Sequence, residues 1–253
     1  MIRLVNVSKS FGHHHVLRGC SLEVHEGETL TIIGGSGSGK SVTLKIMIGL
    51  LKADQGRVYV DDQEISDLND EAMAAVQGKF AYVFQNGALF DSLSVADNVA
   101  FGLRQQRKHD ERKIRETVSK TLALVGLSGI EALKPSELSG GMRKRVAIAR
   151  AVAMSPKYLF YDEPTTGLDP IMSDVINDLI VSLHQKLGTT GVAITHDMKS
   201  AYKISTRIAM LYEGRIVQAD TAEAIRNSND PLVHQFITGS AQGPIHMKVR
   251  DID

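Results

Sequence analysis

The chain has 253 residues, and its 29 lysine and arginine residues are balanced by 29 aspartate and glutamate residues. This balance excludes a strongly basic nucleic-acid footprint, so we expect no nucleic-acid partner. The single cysteine, Cys20, cannot form an internal disulfide, which favours a reducing compartment. No apolar run approaches the length of a bilayer span and no signal peptide is evident, so we expect a cytoplasmic protein that reaches a membrane only through a partner.

The first 33 residues are predicted to be rich in β-structure, with strands at 2–7, 21–24 and 29–33. The stretch between the first two strands is predicted to be a loop that carries three adjacent histidines, at 13–15. A metal site is disfavoured there, because neighbouring histidines on a loop rarely converge on one ion and no acidic cluster accompanies them.

Residues 34–41 read Gly-Gly-Ser-Gly-Ser-Gly-Lys-Ser and match the phosphate-loop pattern G-x-x-x-x-G-K-[ST]. A predicted strand precedes this loop and a predicted helix at 42–51 follows it, which is the context that the motif requires. Glycines let backbone N–H groups surround an anion, and the N-terminus of the helix adds partial positive charge. We expect Lys40 to reach the β- and γ-phosphates of a nucleoside triphosphate and Ser41 to ligate Mg²⁺.

The chain continues with a predicted strand at 56–61, a short helix at 69–77 and a strand at 80–84 that ends at Gln85. A polar side chain just beyond a buried strand is well placed to reach a ligand in an open α/β sheet. For Gln85 taken alone, an ordinary strand-ending turn is the simpler interpretation.

Residues 94–154 change character, because three predicted helices at 95–105, 110–125 and 141–154 follow one another with no strand between them. The second of these helices has Ile114, Val118, Leu122 and Val125 on one apolar face. We predict an α/β fold with a β-rich N-terminal subdomain and an inserted helical subdomain. The predicted boundaries are 1–93 and 155–238 for the nucleotide-binding α/β core with its β subdomain, 94–154 for the helical subdomain, and 239–253 for a C-terminal tail.

A predicted apolar strand at 158–161 ends in Asp162 and Glu163. A buried strand that delivers an acid to Mg²⁺ is the second half of a triphosphatase site. The next acid could polarise a water for attack on the γ-phosphate. Without the phosphate loop, a solvent-exposed pair of charges would be the better interpretation.

The last third of the chain is predicted to contain the clearest helix, at 171–187, whose apolar stripe is interpreted as core packing. A strand at 191–195 ends at His196, which makes it the third predicted strand to end in a polar group. A hairpin at 207–218 and a short helix capped by Asp220 with Glu223 complete the prediction. The apolar stripe of the long helix comprises Val175, Ile176, Leu179, Ile180 and Leu183.

Residues 138–142, Leu-Ser-Gly-Gly-Met, complete a series that resembles the ATPase subunits of ATP-binding cassette (ABC) transporters over residues 1–237. The series contains, in the family's order, the phosphate loop, the glutamine of the Q-loop at Gln85 and the signature at 138–142. The acidic pair at 162–163, the D-loop at 167–170 and the switch histidine at His196 follow. Met142 departs from the frequent glutamine of the signature.

The resemblance implies a function and a set of roles. Phe11 stands where the family places an adenine-stacking aromatic, usually tyrosine, Glu163 is implied as general base, and His196 as γ-phosphate sensor. The implied nucleotide-binding residues are Phe11, Gly34, Gly35, Ser36, Gly37, Ser38, Gly39, Lys40, Ser41, Val42, Ser139, Gly140, Gly141 and Asp169. The implied catalytic residues are Lys40, Gln85, Glu163 and His196, and the implied Mg²⁺ ligands are Ser41, Gln85 and Asp162.

The resemblance also implies partners. In the family, the signature of one subunit closes over the nucleotide of a second copy in a head-to-tail dimer, and the dimer drives an integral membrane permease. Gln85 and the helical lobe around residues 86–107 are expected to contact the coupling helix of that permease. Residues 83–93, the signature with Arg143, Lys144 and Arg145, and residues 235–244 are similar to the ATPases of MCE-associated (Mla-type) phospholipid transporters. That likeness implies an MCE-type lipid-binding protein in the complex, maintenance of outer-membrane lipid asymmetry, and a position at the cytoplasmic face of the inner membrane through the permease. In those relatives the tail reaches across the dimer.

Other functions stay open at this point. The chain could serve a different importer or exporter, because these motifs do not reveal direction or cargo. A soluble ABC ATPase acting on ribosomes usually carries two cassettes, and the DNA-repair type inserts a long coiled coil between phosphate loop and signature, whereas this chain shows neither pattern. A nucleotide kinase is disfavoured by the signature and the D-loop.

Overall fold

The computed structural model describes residues 1–106 and 110–245. It contains two sheets, and their strands are as follows. The strands are β1 (Ile2–Phe11), β2 (His14–Val24), β3 (Thr29–Ile33), β4 (Gln55–Val60), β5 (Gln63–Glu64), β6 (Phe80–Val83), β7 (Tyr158–Asp162), β8 (Thr190–Ile194), β9 (Arg207–Tyr212) and β10 (Arg215–Thr221). The helices are α1 (Lys40–Met47), α2 (Asp70–Gln77), α3 (Val95–Gln106), α4 (Glu111–Leu124), α5 (Gly140–Val152), α6 (Pro170–Leu187), α7 (Met198–Ile204), α8 (Ala222–Arg226) and α9 (Pro231–Thr238).

A six-stranded sheet in the order β10-β9-β3-β8-β7-β6 forms the centre of the molecule. All of its pairings are parallel except that of β10 with β9. Every residue of β3 and of β8 is buried, because helices and the second sheet cover both faces of a parallel sheet. The carboxyl ends of β3, β8, β7 and β6 therefore lie side by side along one edge.

A four-stranded antiparallel sheet in the order β2-β1-β4-β5 corrects one prediction in the N-terminal region. The strands β1 and β2 are longer than predicted and form a hairpin in which Phe11 pairs with His14 and Ser10 with His15. His14 and His15 therefore lie in a strand, and not on a loop. Successive strand residues face opposite sides of the sheet, so these two imidazoles do not converge.

The three helices predicted within residues 94–154 are present as α3, α4 and α5. Asp110 caps α4 by accepting a hydrogen bond from the Lys113 backbone N–H, and the predicted apolar face of α4 is buried. That face joins residues of α3 and α5 in one hydrophobic cluster, which also includes Leu159 and Tyr161 of β7. The helices thus share their core with one face of the central sheet. The α/β fold is as predicted, and the domain boundaries within it stay predictions.

Three details of the C-terminal part differ from the predictions. The cap of α8 is Thr221, whose hydroxyl accepts from the Ala224 N–H, whereas Asp220 lies in β10. Val175 of the predicted apolar stripe is exposed, although Ile180 and Leu183 are buried in the core. The helices α7 and α9 had no counterpart in the predictions.

The predicted C-terminal tail is described only as far as residue 245, and residues 246–253 lie outside the described part of the chain. Within residues 1–106 and 110–245, no helix combines the length and apolar character needed to cross a bilayer.

Candidate functional site

The phosphate loop connects the end of β3 to the start of α1 at the edge of the central sheet. Gly39 precedes the helix with φ of 105°, and none of the described side chains caps the first turn. The first N–H groups of the helix are thus left for a ligand, as in other anion sites at helix N-termini. Lys40 Nζ donates to the carbonyl oxygens of Gly34 at 2.8 Å and Gly35 at 2.9 Å, so the ammonium group lies over the loop.

Two hydroxyls of the loop differ in their surroundings. Ser41 is exposed on the first turn of α1. The Ser38 hydroxyl oxygen is buried and has no hydrogen-bond partner within the described residues. A buried hydroxyl without a partner costs free energy, so its presence here suits a loop built to receive a hydrogen-bonding ligand.

The carboxylates that follow β7 have defined partners. Tyr82 OH donates to Asp162 Oδ2 at 2.8 Å. The Glu163 carboxylate is held on both oxygens, by His196 Nδ1 at 3.0 Å and by the Thr166 hydroxyl at 3.2 Å. The Glu163 side chain is 13% exposed, whereas that of His196 is 68% exposed. The acid is thus sheltered and oriented at the edge of the site.

Lys40 of the phosphate loop interacts electrostatically with Asp162 and Glu163. Burial lowers the pKa of Lys40, and the negative charges of Glu163 and Asp162 act in the opposite direction. The ammonium group therefore lies close enough to feel both carboxylates. Burial also raises the pKa of Tyr82, as does its hydrogen bond to Asp162, so this phenol stays a neutral donor.

Gln85 is exposed in the turn after β6, and its backbone carbonyl accepts a hydrogen bond from Lys144 Nζ. The same Nζ donates to the backbone carbonyl of Glu163 at 3.4 Å. Lys144 lies on α5 and is only 7% exposed. Burial lowers its pKa, and Glu163 and Asp162 oppose that shift.

The signature turn lies at the start of α5. The Ser139 hydroxyl accepts from the Met142 N–H at 3.3 Å and so caps this helix. Gly140 lies next to Leu168, which precedes α6, and Gly141 lies next to Met172 in the first turn of α6. Within the described residues, no hydrogen bond joins the signature turn to the phosphate loop.

The remaining predicted nucleotide contacts are placed as follows. Phe11 ends β1 and is half-exposed, with Lys9 Nζ 5.6 Å from the centre of its ring. Val42 packs partly buried against the cluster of the β-rich half. The Asp169 carboxylate caps α6 through the N–H groups of Ile171 and Met172.

The described residues contain no group of three or more histidine, cysteine, aspartate or glutamate side chains that could hold a metal ion by themselves. Mg²⁺ is commonly bound by one or two protein oxygens together with substrate phosphates. The exposed oxygens of Ser41 and Gln85, together with Asp162, fit that sparser ligand set.

Three contacts of the site were missed from the sequence, those of Tyr82, Lys144 and Thr166. A signal for Lys144 was present, because Gly141, Lys144 and Ile148 share one buried face of α5. A lysine on a buried apolar face is rare unless it has partners.

A phosphate loop next to strand-end acids on a parallel sheet defines a P-loop nucleoside triphosphatase. Residues 17–166 match the ABC transporter family, and the chain belongs to this family. It is an ATP-binding, ATP-hydrolysing cassette of a transporter.

The chain is 44% identical to the chloroplast protein TRIGALACTOSYLDIACYLGLYCEROL 3 of Arabidopsis thaliana. The alignment, 262 positions long with its gaps, covers 97% of this chain and 75% of the relative. It is 37% identical to the Haemophilus influenzae intermembrane phospholipid transport system ATP-binding protein MlaF, covering 98% of this chain and 94% of the relative. It is also 37% identical to the Mycobacterium bovis probable ribonucleotide transport ATP-binding protein mkl, over 97% of this chain and 68% of the relative.

Among solved structures, the fold is similar to a dimeric ATP-binding cassette in a post-hydrolysis state with ADP and Pi bound. The TM-score is 0.80 and the identity is 33%, and the match covers 88% of this chain and 99% of that chain.

Proposed function

We propose that this chain couples ATP hydrolysis to phospholipid transport by driving a membrane permease as a head-to-tail dimer. The observation that carries the hydrolytic part is the oriented Glu163 carboxylate, sheltered beside the phosphate loop and held by His196 and Thr166. A carboxylate in that position is suited to accept a proton from a water that attacks the γ-phosphate.

The other residues of the edge hold and orient the nucleotide. Lys40 and the loop N–H groups bind the β- and γ-phosphates, and Phe11 stacks on the adenine. Ser41, Gln85 and Asp162 would hold Mg²⁺, which when bound neutralises charge that develops on the phosphates. His196 senses the γ-phosphate while its Nδ1 bonds to Glu163.

The structure of the signature turn is an argument for the proposed dimer. It is a glycine-rich helix start of the type that binds anions, and it shares no hydrogen bond with the phosphate loop of its own chain within the described residues. A second copy in head-to-tail arrangement brings Ser139 and Gly141 to that loop. The relative solved as a dimer with ADP and Pi supports this arrangement.

Glu163→Gln tests the base and the dimer together. An amide cannot accept the proton, so we expect kcat for ATP hydrolysis to fall by about 100-fold or more. ATP, but not ADP, should then trap a dimer that size-exclusion chromatography separates from the monomer. A monomer that is fully active at high dilution would contradict the dimer, and a fully active Glu163→Gln variant would contradict the base.

An exposed aromatic surface near Gln85 supports a permease partner. Phe90 and Phe101 are 42% and 38% exposed, and their ring centres lie 4.6 Å apart. Phe84, next to Gln85, is 43% exposed. Exposed large apolar side chains next to one another are common at protein contacts. We assign this surface and the predicted coupling region at 86–107, of which residue 107 lies outside the described part, to a cytoplasmic helix of the permease.

The cargo is assigned from the relatives. The name of the MlaF relative supports phospholipid as cargo, whereas the name of the mycobacterial relative favours ribonucleotides. The MCE-type partner and the position at the cytoplasmic face of the inner membrane, through the permease, are proposed from the resemblance of residues 83–93 and of the signature segment to Mla-type ATPases. Phospholipid is preferred, because the MlaF relative is matched over almost its whole length.

Copurification in detergent tests the partners and the cargo. The chain, expressed with its genomic neighbours, should be recovered with a multi-pass membrane protein and an MCE-type protein. Phospholipid vesicles should stimulate ATP hydrolysis by this complex, and ribonucleotides other than ATP should not. Recovery on ribosomes without a membrane protein would reject transport, and stimulation by ribonucleotides alone would reject the lipid cargo.

A further inference from the structure

The helix α5 joins two parts of the site through a single buried side chain. Lys144 Nζ donates to the backbone carbonyl of Gln85, beyond β6, and to that of Glu163, beyond β7. These strands are neighbours in the sheet, with Val83 opposite Tyr161, so the two carbonyls stand at matching positions. One ammonium group therefore links the Q-loop to the backbone of the proposed base.

The backbone at Glu163 needs such support. Its φ is +49°, in the left-handed region that non-glycine residues rarely adopt. Pro164 follows directly and restricts the preceding residue further. Conformations of this kind persist only where surrounding contacts determine them. Besides Lys144, the contacts here are the Glu163 N–H to the Ile194 carbonyl at 3.0 Å and the Thr166 N–H to the Glu163 carbonyl at 3.2 Å.

A second basic residue of α5 provides a comparison. Arg150 donates to the carbonyls of Gly87 and Ala88 at 2.8 and 2.6 Å. It therefore anchors the loop after β6 as Lys144 does, but in the described part of the chain it has no hydrogen bond to the strand end that carries Glu163. Removing Arg150 loosens the loop alone, whereas removing Lys144 also releases the backbone of Glu163.

We propose that Lys144 is a positioning residue for ATP hydrolysis, which holds the Glu163 carboxylate in its working geometry by fixing the peptide that follows it and ties that geometry to the Q-loop. The inference rests on the proposed role of Glu163 as base. Lys144 lies four residues after Gly140, so it is carried on the same rigid helix as the signature turn. Engagement of that turn by a second copy is thereby linked to the base.

The test uses the full chain and the variant Lys144→Met, which keeps the length of the side chain and removes the charge and the donor. We expect kcat for ATP hydrolysis to fall on the order of 100-fold, with KM for ATP within about threefold of the parent. Lys144→Arg, which restores a charged donor, should recover part of kcat. The matched control is Lys120→Met, an exposed lysine of α4, which should hydrolyse ATP as the parent does.

Two comparisons separate positioning from a structural role. In the Glu163→Gln background, Lys144→Met should cause no further loss, because two residues that act through one group are not additive. The double variant should still form the ATP-trapped dimer. Arg150→Met should lose less of kcat than Lys144→Met does.

If Lys144→Met does not fold, as judged by thermal unfolding, Lys144→Gln replaces it, since a shorter neutral amide cannot span both carbonyls. A kcat equal to that of the parent in the folded Lys144 variant would overturn the proposal, as would an equal loss in Arg150→Met or a further loss in the Glu163→Gln background. An active Glu163→Gln variant would instead reject the base itself, so the two failures are distinguishable.

Discussion

Two glycine-rich turns start helices in this protein, and they are built differently. The phosphate loop leads into α1 without a side-chain cap, and its Ser38 hydroxyl is buried without a partner within the described residues. The signature turn leads into α5 with Ser139 as cap. The first turn leaves its hydrogen-bonding capacity open inside its own chain, and the second satisfies part of it locally. This difference suits a loop that encloses a nucleotide and a turn that touches one from outside.

The glycines of the two turns also differ in what restrains them. A Cβ on Gly34 would lie 2.2 Å from the backbone oxygen of Leu211, at φ of +151°. A Cβ on Gly141 would lie 2.4 Å from the Cε of Met172, the far end of a flexible side chain. The phosphate loop is fixed against the backbone of the central sheet, whereas the signature turn packs on a side chain that can move.

The largest expected effect tests whether the two turns serve one site from different chains. Lys40→Ala and Ser139→Ala should each lower ATP hydrolysis by about 100-fold, because each removes a proposed phosphate contact. When the two variants are mixed, half of the dimers contain one intact site. We expect roughly a quarter of the parent rate to return, as composite sites between two subunits require.

The control is the double variant Lys40→Ala/Ser139→Ala measured alone. No dimer of this variant contains an intact Lys40 or an intact Ser139, so it should stay inactive. Mixtures that stay as inactive as each variant alone would show that both turns act within one chain.

The next effect compares the same added methyl group in the two turns. Gly34→Ala should lower the free energy of unfolding by about 3 kcal/mol or more, because backbone must shift and φ is unfavourable. Gly141→Ala should cost less than about 1 kcal/mol, since Met172 can rotate and alanine favours a helix. Chemical denaturation measures both.

Gly35→Ala is the matched control within the phosphate loop, because a Cβ there would meet no atom of the described residues within 4 Å. It should unfold like the parent. Equal losses for Gly34→Ala and Gly141→Ala would remove the distinction between a turn fixed by backbone and one fixed by a side chain.

The sequence predicted individual helices and strands, but not every contact between them. The spacing of Ile114, Val118 and Leu122 predicted α4, because burial of one helix face leaves a period that is visible in the sequence. The strand end before Asp162 was predicted for a similar reason. The bond from Lys144 to the Glu163 carbonyl was not predicted, since it joins two residues 19 positions apart in the sequence whose proximity is defined only by the packing of α5 on the sheet.

Two local errors have a local cause. The cap of α8 was assigned to Asp220, but β10 continues through that residue and the helix starts after Thr221. The helix α9 was missed although Asp230 and Pro231 supply a cap and a first-turn proline. The helix is eight residues long, too short for a strong periodic signal.

Asp61, in the turn that follows β4, belongs to neither glycine-rich turn. The pH dependence of the stability that it contributes provides a reference for the smaller effects. Burial by itself raises the pKa of Asp61, but hydrogen bonds from Lys157, Tyr158 and Lys79 outweigh it and hold the pKa well below the usual range. The resulting stabilisation is fully present above the unfolded-state pKa of about 4 and is lost as pH falls through the lowered native value.

Asp61→Asn should therefore reduce the free energy of unfolding at pH 7 by about 1–2 kcal/mol, and the gap to the parent should narrow below about pH 4. Urea denaturation at both pH values measures it, while the ATP affinity of the variant should equal that of the parent. A gap that widens in acid would contradict the sign of the shift.

The smallest effect contrasts the two serines. Ser139→Ala removes a helix cap and should lower the free energy of unfolding by about 1 kcal/mol. Ser38→Ala removes a buried hydroxyl that has no partner within the described residues, so the free energy of unfolding should stay equal or rise by up to about 1 kcal/mol. ATP affinity should nevertheless fall about threefold to tenfold in Ser38→Ala, the equivalent of one hydrogen bond to a phosphate. A loss of stability in Ser38→Ala without a loss of affinity would mean that this hydroxyl supports the fold and not the nucleotide, and the contrast between the two turns would then rest on their glycines alone.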